Sequence, residues 1–229
     1  MNQDQRTVIL FFSRSLQDEF LAKPFGLSQQ RFRTLYNCLL KKARTTLSSV
    51  DLDVIESFSD NQEGNSFRDR LSHAVSAVFS QGYHNILIVG NDAPCLTGQH
   101  LLEAKALLQQ GKNVIAPDNH GGAYLIGITK HSFTQRDFDN INWGTASVFN
   151  QLKSTFNAEV IGEELIDLNS RGDLFELVNA KNSLPLRFKV LLRTICTGDH
   201  LARDLFIKFF QDLTLRTKSQ RGPPLVVAA

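Results

Sequence analysis

The order in which apolar segments follow one another constrains the fold of this 229-residue chain more than any other feature. Residues 7–12, 85–90 and 113–116 are short, largely apolar runs, typical of strands buried on both faces of a parallel sheet. Between them, residues 29–47 and 67–81 carry apolar side chains at the spacing of amphipathic helices. Alternating strands and helices predict a three-layer α/β/α domain with a mainly parallel central sheet.

Weaker patterns complete this prediction. Residues 50–55 and 123–128 are further strand candidates, and Thr97 precedes a helical segment at 101–110 that it can cap. Apolar residues at helical spacing between 184 and 215 predict two C-terminal helices. We expect a main domain, a helical extension packed on that domain, and a flexible tail, at residues 1–180, 181–216 and 217–229.

Composition excludes several classes of protein. A hydrophobic content of 42% is enough for a sizeable core, and 25 basic against 23 acidic residues is too balanced for a dedicated nucleic-acid surface. Cys38, Cys95 and Cys196 lack the paired spacing of a zinc site and are expected to be packing residues. The first residues do not resemble a signal peptide and no apolar run is long enough to span a membrane, so the expected location is cytoplasmic.

Asp92 is the first candidate for chemistry, because it directly follows the predicted strand at 85–90. Ligands of open parallel sheets bind outside the carboxyl ends of the strands. A carboxylate at that position can hold a divalent cation that bridges two phosphate oxygens. The alternative, which the local sequence leaves equally open, is that Asp92 caps the following helix.

A polar glycine loop at residues 117–124 is the second candidate. Gly121 and Gly122 would let the backbone approach a ligand, and the side chains of Asp118 and His120 would hydrogen-bond it. Tyr124 would stack on a sugar or an acceptor. The alternative is an ordinary glycine turn between two strands.

Two later segments add candidates. Asp167 and Asn169 offer oxygen ligands that suit a hard cation, although capping of the next helix by Asn169 or Ser170 is the alternative. Trp143, the only tryptophan, is either a core residue or a wall of the acceptor site.

These segments together resemble the nucleotide-diphospho-sugar transferase superfamily, which has the GT-A fold. They are most similar to its bacterial glycosyltransferase-like branch, also described as radical-SAM/selenodomain-associated transferases. The resemblance runs from about residue 7 to residue 174. Its motifs are Gly-Asn-Asp-Ala-Pro-Cys-Leu, Asn-His-Gly-Gly-Ala-Tyr-Leu-Ile-Gly, Trp-Gly-Thr and Asp-Leu-Asn-Ser-Arg-Gly-Asp-Leu, at residues 90–96, 119–127, 143–145 and 167–174.

The resemblance implies a site and a cofactor. It assigns Mg²⁺ or Mn²⁺ to Asp92 and Asn169, with Asp167 as the reserve ligand, and catalysis to Asp92, Asp118 and His120. The expected substrate-binding residues line the strand ends and loops: Phe12, Ser13, Arg14, Lys23, Gly64, Asn91, Gly121, Gly122, Tyr124 and Trp143. Of these, Arg14 and Lys23 are the candidates for binding phosphate.

The sequence also departs from the family pattern. The Lys-Thr-Arg run that usually follows the first strand is missing, and Asp18 and Glu19 stand in that loop. Asn119 and His120 replace the acidic residue of the glycine motif. The leading hypothesis is a metal-dependent transferase that uses a nucleotide or nucleotide-sugar donor and an unknown acceptor. The alternatives are a nucleotidyltransferase that uses a nucleoside triphosphate and a non-catalytic nucleotide-binding protein.

The phenylalanines of the predicted last helix allow two interpretations. Phe206, Phe209 and Phe210 either cover the sheet, which is the expected role, or form the face of a homodimer.

Overall fold

The computed structural model describes residues 6–197. The six strands are β1 Thr7–Ser13, β2 Asp53–Phe58, β3 Asn85–Val89, β4 Val114–Pro117, β5 Ala123–Thr129 and β6 Glu159–Val160. The eight α-helices are α1 Leu16–Ala22, α2 Gln29–Leu47, α3 Phe67–Ser80, α4 Gly98–Gln109, α5 Gln135–Asp139, α6 Val148–Thr155, α7 Arg171–Asn179 and α8 Leu186–Thr197. No helix in this part of the chain is long and apolar enough to cross a membrane.

All six strands form one sheet in the order β2-β1-β3-β5-β4-β6. β5 runs antiparallel to both of its neighbours, β3 and β4, and the remaining pairs are parallel. The predicted mixed α/β fold with a mainly parallel sheet is therefore confirmed. The reversal of β5 follows from its short connection to β4, because a parallel connection needs a crossover of a dozen or more residues.

Helices cover both faces of the sheet. Along β1, Ile9 and Phe11 point into a core shared with α2, α4, α7 and α8, whereas Val8, Leu10 and Phe12 point into a core shared with α3, α5 and α6. Both faces of β1 are buried, which explains its uninterrupted apolar sequence. Packing on both faces holds the strands in place and thereby fixes where the loops at the strand ends begin and end.

The predicted strand at 50–55 is displaced by three residues, since β2 begins at Asp53. The last turn of α2 continues through the hydrogen bond from the Val50 N–H to the Leu47 carbonyl, and Val50 packs in the core below it. β2 lies at the edge of the sheet. Its outer charges are paired, Arg6 with Asp53 at 3.2 Å and Arg44 with Glu56 at 2.7 Å.

The C-terminal prediction is only partly covered by the described residues. α8 packs against α2 and α7 through Phe188, Leu191 and Leu192. The second predicted helix, its phenylalanines and the tail lie outside the described residues. Cys38 and Cys95 are buried and unpaired.

Candidate functional site

Most of the predicted site lies at the carboxyl edge of the sheet, which is the edge formed by the ends of its parallel strands. β1, β3 and β4 end there, and β5 begins there because it runs in the opposite direction. Residues 165–169 run along this edge, where the Leu165 N–H donates to the Pro117 carbonyl at 3.2 Å and the Leu168 N–H donates to the Asp92 carbonyl at 3.0 Å. The segments at 90–96, 117–122 and 165–174 are therefore joined by backbone hydrogen bonds.

The ammonium group of Lys23 lies at the centre of this edge. Its Nζ is 2.6 Å from Asp92 Oδ2, 2.7 Å from Glu19 Oε1 and 2.8 Å from the Leu168 carbonyl. An ammonium group has three N–H donors, so these three acceptors use all of them. The Lys23 side chain is only 5% exposed. A contact with phosphate would require one of these bonds to break, and the phosphate-binding role of Lys23 stays a prediction.

Burial lowers the pKa of Lys23, but the carboxylates of Asp92 and Glu19 outweigh this effect and leave the pKa above its usual value. Lys23 is therefore a permanent positive charge that holds Asp92 in place. Asp92 does not cap the following helix, because α4 begins at Gly98 with Thr97 as its cap residue.

Arg14 is the more accessible cation of this edge. Its Nη1 contacts Glu19 Oε2 at 3.1 Å, and its side chain remains 39% exposed. The hydroxyl of Tyr36 donates to the Arg14 carbonyl at 2.9 Å, which fixes the backbone after β1. A guanidinium group carries five N–H donors, so Arg14 can still bind an anion while it contacts Glu19.

Asp167 lies in the segment that is bonded to Asp92. Burial, followed by the negative charge of Asp92, raises the pKa of Asp167 to about 7. Its backbone N–H donates to Asn119 Oδ1 at 2.9 Å, and its Oδ2 accepts from Asn169 Nδ2 at 2.7 Å. Two carboxylates that repel each other in this way are a suitable pair of ligands for a cation.

These contacts describe the surroundings of the predicted metal ligands, and the ligand set stays a prediction. Asn169 donates its amide to Asp167, so it orients that carboxylate, and the cap of α7 is Ser170. Among residues 6–197 no group of three or more His, Cys, Asp or Glu side chains could hold a metal alone. Mg²⁺, however, is commonly held by one or two carboxylates together with substrate phosphates. The donors present fit such a cation on Asp92 and Asp167, with Asn169 as a positioning residue.

The glycine loop is built around Asp118. Its Oδ1 accepts from the N–H groups of His120 and Gly122, each at 2.8 Å, and the residue is buried. A Cβ on Gly122 would meet Asp118 Oδ2 at 2.5 Å. Asp118 thus shapes the loop through Oδ1, and its catalytic role stays a prediction.

Gly121 is required by the same loop for two reasons. Its φ of +78° lies in the left-handed region, and a Cβ there would collide with the Ala146 carbonyl oxygen. Gly121 therefore lets two backbone segments approach each other, Gly122 makes room for the Asp118 side chain, and the predicted glycine contact with a ligand stays a prediction.

His120 is paired with a residue that the sequence did not single out as its partner. Its Nε2 is 3.0 Å from Oδ1 of Asp173, which lies in the first turn of α7, 53 residues further along the chain. The sequence contained only the capping pattern of α7 as a signal for Asp173, and that pattern gives no information about His120.

The remaining predicted residues are buried or partly buried, or serve the backbone. Tyr124 and Phe12 are buried in the two cores, and Asn91 and Ser13 are also buried. Trp143 is partly buried against Phe67, and its Nε1 donates to the Phe138 carbonyl at 3.0 Å. A Cβ on Gly64 would meet Asp69 Cβ at 2.6 Å, so this glycine serves the start of α3.

Tyr124 is the least exposed of the aromatic residues predicted to bind substrate. It is only 4% exposed, and its stacking on a substrate stays a prediction.

Comparisons with known proteins agree with this architecture. Residues 34–145 match the family described as an uncharacterized protein conserved in bacteria, DUF2064. A crystal structure from Desulfovibrio desulfuricans G20, provisionally described as a nucleotide-diphospho-sugar transferase, has a TM-score of 0.69 and 23% identity. The two chains overlap over 87% of this chain and 97% of that one. The chain has the same fold as that structure. The α/β fold that the resemblance of its motifs implies is thereby confirmed.

A curated relative is similar over a shorter stretch. The 2-phospho-L-lactate guanylyltransferase of Methanocaldococcus infernus is 25% identical over 124 residues, which make up 50% of this chain and 57% of that protein. This chain therefore aligns with little more than half the length of that relative.

Proposed function

We propose that this protein is a transferase that uses a nucleotide or nucleotide-sugar donor and binds the donor's diphosphate at the edge that carries Asp92 and Asp167. The observation that carries the proposal is the pair itself, two carboxylates from separate segments in which one raises the pKa of the other. Such a pair at the carboxyl edge of an α/β sheet suits a cation that accompanies a diphosphate.

The roles of the residues follow from their contacts. Mg²⁺ or Mn²⁺ held by Asp92 and Asp167 would neutralise charge on the departing phosphate. Lys23 holds the Asp92 carboxylate in position, and Asn169 and Asn119 orient Asp167. Arg14 is the exposed cation that can contact a donor oxygen directly.

Nucleotidyl transfer from a nucleoside triphosphate is the second candidate, and the similarity to a protein named as a guanylyltransferase favours it. The two reactions differ in the bond that breaks and therefore in the product released. Glycosyl transfer releases a nucleoside diphosphate, whereas nucleotidyl transfer releases pyrophosphate. Separate assays for these two products distinguish the two reactions.

Thermal-shift measurements test the proposal with GDP, UDP, GTP, GDP-mannose and UDP-glucose, each with Mn²⁺, with Mg²⁺ or with EDTA. We expect a thermal shift that needs the metal. We expect Asp92→Asn or Asp167→Asn to weaken the ligand affinity at least tenfold, which is about 1.4 kcal/mol or more of binding free energy, and so to reduce the shift. Asp51→Asn removes an exposed carboxylate before β2 and is the matched control, with an unchanged shift.

The same experiment has a pH dependence. Metal binding requires the ionised carboxylate of Asp167, whose pKa is raised to about 7. The Mn²⁺-dependent shift is therefore expected to shrink as the pH falls from about 8 to about 6, because protons then compete with the metal. If none of these ligands stabilises the protein in a metal-dependent way, the proposed function is wrong and a non-catalytic protein is favoured.

A further inference from the structure

The contact between His120 and Asp173 determines which nitrogen of the His120 ring carries the proton. An ionised carboxylate only accepts hydrogen bonds, so the His120 nitrogen at 3.0 Å from Asp173 Oδ1 must be the protonated one. That nitrogen is Nε2. The neutral ring therefore carries its lone pair on Nδ1, which has no hydrogen-bond partner within residues 6–197.

Asp173 is held more firmly than a surface carboxylate. Its Oδ2 accepts from the Asn169 N–H at 2.9 Å and from the Ser170 hydroxyl at 2.9 Å, which leaves Oδ1 for His120. The Asp173 side chain is 8% exposed, whereas the His120 side chain is 43% exposed. A buried, fixed acceptor thus orients an imidazole ring that is itself partly exposed.

The pair lies next to the proposed donor site. Asn169 donates its backbone N–H to Asp173 and its side-chain amide to Asp167. On the other side, the loop that carries His120 is held by Asp118, and Asn119 accepts from the Asp167 N–H. The imidazole is therefore connected on two sides to the carboxylate pair.

We propose that His120, oriented by Asp173, is the general base of the transfer and that the acceptor is a hydroxyl group. This inference rests on the proposed function. The acceptor oxygen forms the new bond to the sugar carbon or the α-phosphorus, the bond from that atom to the departing phosphate breaks, and the electron pair leaves with the phosphate. The hydroxyl proton passes to His120 Nδ1 and then to water.

The proposal selects between acceptor classes. A phosphate or carboxylate acceptor is already ionised and needs no base, whereas a hydroxyl group must lose a proton as it attacks. The charged groups that contact His120 are Asp173 from α7 and Asp118, which accepts from the His120 N–H in its own loop. Both are carboxylates, so they stabilise the imidazolium that forms when the ring takes up the proton.

An assay of product release tests the catalytic role of His120. It measures nucleoside diphosphate or pyrophosphate released from the same donors, with water or glycerol as the hydroxyl acceptor. We expect His120→Gln to lower the rate about 100-fold or more with little change in donor affinity. The rates are compared at about pH 8, so that the loss of metal binding expected at lower pH does not contribute. His84→Gln, at the opposite edge of the sheet, is the control and should match wild type. A His120→Gln rate within twofold of wild type would overturn the proposal.

Long-range ¹H–¹⁵N spectra of the histidine rings test the orientation without any substrate. We expect the neutral His120 ring to carry its proton on Nε2 and expect Asp173→Asn to remove this preference while thermal unfolding remains cooperative. A proton on Nδ1 in the wild-type protein would contradict the pair that we infer. A wild-type protein that binds none of the donors refutes the proposed function instead, and the spectra still decide the state of His120.

Discussion

Lys23 shows how much the function of a residue depends on what surrounds it. In the sequence it is a basic residue after the first strand, which favours a phosphate ligand. In the structure it lies one turn after Glu19 and meets Asp92 and the Leu168 carbonyl, which are 69 and 145 residues away along the chain. Its role is to hold three segments of the site together.

Replacing Lys23 should therefore affect stability as well as binding. Lys23→Met leaves Glu19 buried with Arg14 as its remaining partner and leaves Asp92 without a cation. We expect the free energy of unfolding to fall by about 3 kcal/mol, as is typical when one partner of a buried ion pair is removed. Urea unfolding measures this loss, and Lys153→Met on the exposed face of α6 is the control.

A lysine that only contacted phosphate would behave differently. Its replacement would weaken donor binding but leave the unfolding midpoint in the absence of donor near that of the Lys153→Met control.

At the scale of elements, the hairpin formed by β4, the glycine loop and β5 positions His120. The loop turns sharply because Asp118 accepts from two N–H groups within it and because Gly121 lies against Ala146. The Phe149 N–H donates to the Gly121 carbonyl at 2.9 Å, so the start of α6 also holds the loop. The position of His120 thus depends on backbone contacts of its neighbours.

Gly111 and Gly121 have nearly the same φ angle but different surroundings. Replacing each with alanine therefore distinguishes the free-energy cost of a strained backbone from that of a steric clash. Gly111 has a φ of +79° and open space where a Cβ would lie, with nothing within 4 Å, whereas Gly121 has a φ of +78° and faces the Ala146 carbonyl. We expect Gly111→Ala to cost about 1 kcal/mol and Gly121→Ala about 1 to 3 kcal/mol more. Urea unfolding of both variants checks this, and equal losses would mean that the loop can move away from Ala146.

The sequence predicted elements better than contacts. The periodicity of α2 gives the bounds Gln29–Leu47 because its buried side chains recur at helical spacing. The antiparallel direction of β5 could be predicted only from its short connection to β4, since an apolar run itself carries no direction. The sequence could not show that His120 contacts Asp173 or that Lys23 contacts Asp92. These pairs form only because loops from distant segments reach the same edge of the sheet.

At the scale of the molecule, one core joins the site to the C-terminal helix. The core that contains Ile9 and Phe11 of β1 also contains Phe188 and Leu192 of α8. α8 therefore closes the sheet on the side of α2 and α7, and we expect it to unfold together with the rest of the domain.

Phe188→Ala tests this unity. Removing a fully buried phenylalanine should lower the free energy of unfolding by about 3 to 5 kcal/mol in a single transition. Leu186→Ala is a control in the same helix, since Leu186 is 76% exposed and its loss should cost little. A Phe188→Ala variant that loses helicity before the main transition would show that α8 folds separately.

The edge strand β2 has a further consequence for the whole molecule. An unpaired strand edge is a template on which a strand of another molecule can add, and unprotected edges of this kind begin aggregates. Here the charged side chains of Asp53 and Glu56 stand on that strand, each already matched by an arginine from an adjacent segment. A second strand that docked there would have to strip water from these ion pairs, so the same contacts that fasten the edge to its own chain also discourage association through it.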